Sequence, residues 1–396
     1  QNLLNTDLTL NLSQNIPWTG GSLFLETSAQ RMDLFSEHKY SWQTSPIMIG
    51  YRQSLFGYNS LKWDKRIEPV RYQEAKKSYV ETLELVSANA INKFFALATA
   101  QSNYDIASFN YANADTLYRY AQGRYNIGTI TENEMLQLEL NRLTEETNRM
   151  NARIEMDNCM QELRSYLGIQ EEREIRVRVS SRIPDFSINL NEALALAYEN
   201  SPDIQTMKRR KLESESAVAR ARANAGLKAD IYLRFGLTQT ADKLPEAYRN
   251  LLDQQYVSLS ISLPILDWGR GKGQVRVARS NRDLVYTQVE QNRTDFELNV
   301  RKLVKQFNLQ TQRVRIAART DETAQRRNEV ARKLYILGKS TILDLNASIS
   351  EKDSARRNYV SALYNYWSLY YTLRSMTLYD FESNKLLTED YNLLIE

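Results

Sequence analysis

The chain has 396 residues with only 13 Gly and 7 Pro, so it is long enough for two or three domains yet poor in the residues that punctuate them, which favours long helices. Lys and Arg (52) nearly balance Asp and Glu (48), and the signs alternate along stretches such as Glu139–Arg153; this reads as solvated helix faces and argues against a nucleic-acid partner. No run of about 18 apolar residues occurs, so no transmembrane helix is predicted. The single Cys159 cannot form an intrachain disulfide, and nothing at Gln1 resembles a secretory signal, so the chain reads as a mature or trimmed product.

Residues 1–57 alternate with period two. Leu8, Leu10 and Leu12 are separated by Thr9 and Asn11, and the same period returns at Ile47, Ile49 and Tyr51. Trp18-Thr-Gly-Gly21 looks like a tight turn between strands at Thr6–Ile16 and Ser22–Met32. Residues 58–168 then read as a helical hairpin. Its outgoing helix, Leu61–Tyr125, has no Pro beyond Pro69, and its returning helix carries a coiled-coil seam at Leu136, Leu140, Leu143, Thr147, Met150 and Ile154. A connector at 169–189 and a leading helix within 190–227, written as one segment Leu190–Ala225, precede a second strand set at 228–268. There Ile231, Leu233, Phe235 and Leu237 alternate with polar neighbours, as do Val257, Leu259, Ile261 and Leu263 with serines. A second hairpin fills 269–380, its outgoing helix Gly273–Leu337 seamed by Val289, Phe296, Val300, Leu303, Phe307, Gln310, Val314, Ala317, Asp321 and Ala324; residues 381–396 form a tail.

The two halves repeat. Arg124-Tyr-Asn-Ile-Gly128-Thr-Ile-Thr131-Glu-Asn-Glu134 recurs 210 residues on as Leu334-Tyr-Ile-Leu-Gly338-Lys-Ser-Thr341-Ile-Leu-Asp344, with Tyr, Gly, Thr and an acid in step. Each glycine stands where an outgoing helix must reverse. Alternating strands alone suit a soluble sandwich equally well. Joined to helices of this length they suit a tube in which strands cross a membrane and helices extend from it, because lipid requires a sheet to close and a narrow seam requires neighbouring copies.

The doubled motif, the strand exit Leu263-Pro-Ile-Leu-Asp-Trp-Gly269, and Leu190-Asn-Glu-Ala-Leu-Ala-Leu-Ala197 followed by Asn200-Ser-Pro202 resemble the TolC-like outer-membrane efflux family over nearly the whole chain. The resemblance implies a mainly α fold with β: long coiled-coil hairpins forming a periplasmic α-barrel, strands contributed to one trimeric transmembrane β-barrel, and a belt near residues 169–189. It implies an outer-membrane channel of a tripartite efflux or secretion system in a Gram-negative bacterium, with no cofactor. Its partners would be two further copies, a periplasmic adaptor, an inner-membrane transporter of RND or ABC type, and outer-membrane lipid. Two departures stand out. No counterpart of Leu190–Ala225 precedes Thr6, which reads as an N-terminal truncation, and five candidate strands occur where the family has four. A periplasmic adaptor or a structural coiled coil is the alternative reading; the first would carry one hairpin, and the second would leave the strands without purpose.

Catalysis finds no support. His38 is the only histidine, in an expected loop, and neither a nucleophile–His–acid set nor a Cys/His metal cluster can be assembled. Gly269, Arg270, Gly271, Lys272 and Gly273 lack the closing Gly-Lys-Ser/Thr of a phosphate loop and read as strand-to-helix punctuation. Lys208–Lys211 and Arg326–Arg327 read as solvated faces, and the cluster Tyr364, Tyr366, Trp367, Tyr370 and Tyr371 as helix packing. Tyr40, Trp42, Tyr248 and Tyr256 suit an interfacial girdle or ordinary loops. The resemblance makes Asp344, Glu134, Tyr335 and Tyr125 candidates for the gate at the periplasmic mouth. It makes Gly128, Thr129, Ile130 and Thr131, with Gly338, Lys339, Ser340 and Thr341, candidates for adaptor docking. The family's mouth arginine falls at Ser340 and a further acid at Ala347, so its full salt-bridge lock is not reproduced. Asp344 and Glu134 have a second reading as carboxylates in the first turn of a helix.

Overall fold

The computed structural model describes residues 3–35, 38–170, 174–180, 182–337 and 339–388. They form two compact units, Gln1–Ala75 with Asp203–Thr294, and Lys76–Pro202 with Asp295–Glu396.

The first unit is built on a five-stranded antiparallel sheet in the order β1 (Leu3–Ile16), β2 (Gly21–Leu34), β3 (Lys39–Ser54), β4 (Lys228–Ala241) and β5 (Leu252–Ser262). The turn at Trp18–Gly21 makes β1 and β2 a hairpin, closed by a bond from Gly20 N to Ile16 O of 2.9 Å, so the five-strand count read from the sequence is the observed one. The alternation becomes rows across the sheet: Leu23, Tyr51, Leu233 and Val257 stand abreast, as do Leu25, Ile49 and Phe235. Most of this apolar face is exposed, whereas Phe24 and Met48 on the other face are buried. Gly50 is required there, because a Cβ would overlap the Phe24 ring that lies across it. His38 lies in the turn between β2 and β3 with φ +49°. β1 and β5 are the sheet's edges and have no further strand partner among the described residues.

Two long helices leave this sheet, α1 (Ser60–Asn126) after β3 and α5 (Arg270–Ile336) after β5. Pro69 falls inside α1 without ending it. The expected single helix over 190–225 is in fact two, α3 (Leu190–Asn200) and α4 (Pro202–Ala225). Ser201 between them is extended (φ −62°, ψ 135°), because the ring of Pro202 pushes the preceding residue out of the helical region. The basic run on α4 is likewise not simply solvated. Arg209 grips Glu74 of α1 through two bonds of 2.6 and 3.0 Å, Thr206 adds a third at 2.8 Å, and Glu213 takes a further guanidinium nitrogen. The Arg209 side-chain bond, aided by Thr206 and by the charges of Arg209 and Arg71, holds the Glu74 carboxyl below the usual carboxylate range despite its burial.

The second unit contains α2 (Glu132–Tyr166), α3 and α6 (Ile342–Thr377) with the distal parts of α1 and α5. The predicted α5 seam is largely buried: Phe296, Val300, Phe307, Gln310 and Val314 face inward. Phe307 meets the buried Tyr366 ring at 5.1 Å and Phe186 at 5.4 Å, so the aromatic cluster is core. The α2 seam is different. Leu136, Leu140, Leu143, Met150 and Ile154 are 45–66% exposed, and α2 instead buries Met156 and Leu163 against Leu97 and Ala100. Among the described residues nothing buries this stripe. The described residues of the connector after α2 form no helix or strand and are held by two amides: Gln101 bonds both Ile175 O and Val177 N at 3.2 Å, and Asn308 bonds both N and O of Ile188 at 2.9 Å. After α6, which ends at Leu378 with φ +48°, a short pair β6 (Tyr379–Asp380) and β7 (Lys385–Leu386) closes the described chain.

Candidate functional site

The two hairpin turns carry every candidate site residue. α1 ends in a Schellman motif: Thr129 N reaches back to Arg124 O at 3.0 Å, Gly128 N to Tyr125 O at 2.8 Å, and Gly128 takes φ +72°. That φ explains the glycine, since around it there is only open space and no neighbour that a side chain would strike. The second turn shows the same long return bond, Lys339 N to Leu334 O at 2.9 Å. Gly338 lies outside the described residues.

Each returning helix then starts with a capping box. Thr131 Oγ1 accepts from Glu134 N at 3.3 Å while Thr131 N donates to Glu134 Oε2 at 3.0 Å. Thr341 Oγ1 accepts from Asp344 N at 3.1 Å, and the Asp344 carboxylate accepts from the Thr341 hydroxyl at 2.7 Å, the Thr341 N–H at 3.3 Å and the Ser340 hydroxyl at 3.4 Å. These bonds, the Thr341 hydroxyl foremost, hold the Asp344 carboxyl below its ordinary range, so it carries full charge near neutrality. Glu134 and Asp344 are therefore helix-capping carboxylates, and both remain exposed to solvent. The pattern Thr-x-x-Glu and Thr-x-x-Asp was available in the sequence as a capping-box signal.

Between the turns lies a cleft of about 820 Å³ lined by Tyr120, Arg124 and Thr129 from one hairpin and Arg332, Tyr335 and Ser340 from the other, among others. Of the candidates, Thr129, Tyr335 and Ser340 reach this cleft. Tyr125, Ile130, Thr131, Glu134, Lys339, Thr341 and Asp344 are not among its lining residues, so the turns share a neighbourhood without forming one cluster. Arg124 opens the repeated turn motif, whereas Arg332 was not singled out from sequence. They belong to different hairpins at non-equivalent places in the repeat, and only the tertiary structure brings them to one cleft. Ile127 and Leu337, one residue before each glycine, are both exposed.

A duplicated strand–hairpin architecture with two capped, exposed turns has a known counterpart. Residues 193–377 match the family model described as outer membrane efflux protein. No curated protein matches the chain by sequence. Among solved structures the chain is similar in fold to the CmeC outer membrane channel of Campylobacter jejuni, with TM-score 0.70 and 15% identity over 100% of this chain and 80% of that one. It is similar to MtrE of Neisseria gonorrhoeae, described as an outer membrane channel in its open state, at TM-score 0.68 and 13% identity over 97% and 82% of the two chains. It is also similar to the outer membrane protein VceC of Vibrio cholerae, at 0.66 and 14% over 95% and 87%.

Proposed function

We propose that the protein is the outer-membrane channel of a tripartite efflux system, a passive duct in the outer membrane of a Gram-negative bacterium with its helices in the periplasm. The observation that carries this reading is the sheet. Leu8, Leu10 and Leu12 on edge strand β1 and Val257, Leu259 and Ile261 on edge strand β5 are exposed, and both edges leave backbone groups unpaired. In lipid such a sheet is tolerated only when it closes. Closure by further copies, three in the trimeric reading, pairs the edges and gives the exposed α2 seam of Leu136, Leu140 and Leu143 a neighbouring helix to pack against. None of the described helices is long and apolar enough to cross a membrane.

In this reading the turns around Gly128 and Gly338 dock the hairpins of a periplasmic adaptor, which couples the duct to an inner-membrane transporter. Tyr335, Tyr125, Glu134 and Asp344 face the periplasmic mouth, where three copies would set three Asp344 carboxylates around one axis and favour cations. Energy comes from the transporter, and the family and fold are those of ducts and not of enzymes.

The test is purification from membranes followed by native mass spectrometry and planar-bilayer conductance. A detergent-requiring trimer that opens stepwise ion conductance is expected. A folded monomer that stays in solution without detergent would overturn the reading.

A further inference from the structure

The cleft between the two hairpin turns has a charge balance of its own. Arg119, Arg142, Arg153 and Arg356 of the same unit each pair with an acid, on Asp115, Glu146, Asp157 and Asp321. Arg124 and Arg332 line the cleft, and neither side chain has an ion pair or a hydrogen bond among the described residues. No Asp or Glu lines it with them. The acids of the turns stay outside: Glu134 is held by the Thr131 N–H and Asp344 by the Thr341 hydroxyl, each in its capping box.

A cation in the last turn of α1 suits the helix dipole, which accounts for the presence of Arg124. The dipole does not account for a second guanidinium, from the other hairpin, on the same concave surface. Two cations with no acid between them, set in low-dielectric walls, raise the local potential and draw an anion in. Guanidinium groups suit a carboxylate or sulfonate in particular, because their planar fork gives two parallel N–H bonds to one head.

The remaining lining says what the head is attached to. Leu345 is buried, Leu117 and Ile349 are half-buried, and the Tyr120 and Tyr335 rings join them, so the walls are apolar around the cationic pair. The volume of about 820 Å³ lies within the range of roughly 300–1,000 Å³ typical of small-molecule sites. A single acidic side chain from another protein would answer the charge and leave most of that space empty.

We propose that the cleft is a binding site for a small amphipathic organic anion, a carboxylate or sulfonate borne on an aromatic or aliphatic ring. Arg124 and Arg332 take the head, and Leu117, Leu345 and Ile349 take the body. Because the two guanidinium groups come from different hairpins, the bound anion ties the two turns together. The site needs only the fold of the second unit, so it does not depend on the duct reading.

Isothermal titration of the purified full chain with 2-naphthalenesulfonate tests this, with the matched buffer or detergent blank subtracted. The controls are 2-naphthalenemethanol and 2-naphthylmethylammonium, neutral and cationic probes of the same ring, and inorganic sulfate, the head alone. One sulfonate per chain is expected, bound at least about tenfold tighter than any control, since charged hydrogen bonds and apolar burial each act on that scale. Arg124→Gln and Arg332→Gln should each weaken binding several-fold, and the double variant should lose the preference for sulfonate over alcohol while its circular dichroism stays unchanged. If the double variant does not fold, the two single variants decide. Amide exchange at Thr129 and Lys339, whose N–H groups make the return bonds of the two turns, should slow together on binding. Equal binding of sulfonate and alcohol overturns the site, as does a preference that survives loss of both arginines, and protection of one turn alone overturns the bridging. An acidic helical peptide that binds through Arg124 and Arg332 when the sulfonate does not would assign the cleft to a protein partner, which overturns the proposal too.

Discussion

Arg374 Nη2 on α6 donates to Glu84 Oε1 on α1 at 3.0 Å, and its Nε lies 2.9 Å from Oε2 as an ion-pair contact, bridging positions 290 residues apart in sequence. Arg374 also reaches Asp380 at 3.5 Å, and Asp380 is bonded by Tyr370. The Arg374 and Glu84 side chains are only 17% and 10% exposed, so neither charge can turn to water when the other is removed. Breaking such a pair costs about 3–5 kcal/mol, whereas replacing both partners by apolar side chains of similar size is nearly neutral. Glu84→Ala should therefore lower the denaturation midpoint markedly, and Glu84→Met/Arg374→Met should recover most of the loss. A double variant as unstable as the sum of its parts would show that the pair is not coupled.

Acid should loosen the first unit through Glu74. Its carboxyl is held below its ordinary value of 4.5, chiefly by Arg209, so the stabilisation is fully present above 4.5 and is lost as pH falls through the depressed value. Glu74→Gln should cost stability near neutrality and progressively less well below 4.5. Thermal midpoints of the two proteins across that range should converge; a constant gap would contradict the assignment.

Thr131→Ala and Thr341→Ala each remove one capping box, at a cost of about 1 kcal/mol, while Thr→Ser retains it. Amide exchange should quicken at the start of α2 or α6 only. The fold of the sheet is expected to stay as it is.

Asp344→Asn keeps acceptors for the Thr341 N–H and removes the charge. If the carboxylates ring the mouth, the reconstituted pore should lose cation selectivity, read as a smaller reversal potential across a salt gradient. An unchanged potential would reduce Asp344 to its capping role.

Gly128→Trp, at φ +72°, forces a bulky side chain into a left-handed backbone on an exposed turn. Export should stop while trimers still form, and Gly338→Trp in the repeated turn should do the same. Export that survives both changes would remove the docking assignment.

What the sequence determined by itself is what local periodicity and repetition can carry. Alternating Leu and Ser define strands because side chains point to opposite faces in turn, and Gly128 within a doubled motif defines a helix reversal because only glycine enters that backbone region freely. The five strands, the long helices and the packed Tyr366 cluster were legible for this reason. The break at Ser201 was legible too, from the proline after it, but the apolar period running through Leu190–Ala225 masked it.

Only the tertiary structure decided which faces are satisfied within one chain. The heptads at Leu136–Ile154 and at Phe296–Val314 read alike, yet the first is exposed and the second buried, since a periodic stripe states that a partner exists and not where it is. The same holds for Arg209 with Glu74, Arg374 with Glu84, and Arg124 with Arg332 at one cleft. Each depends on bringing distant segments together, and a charge gives no sign in sequence of which opposite charge, if any, will meet it.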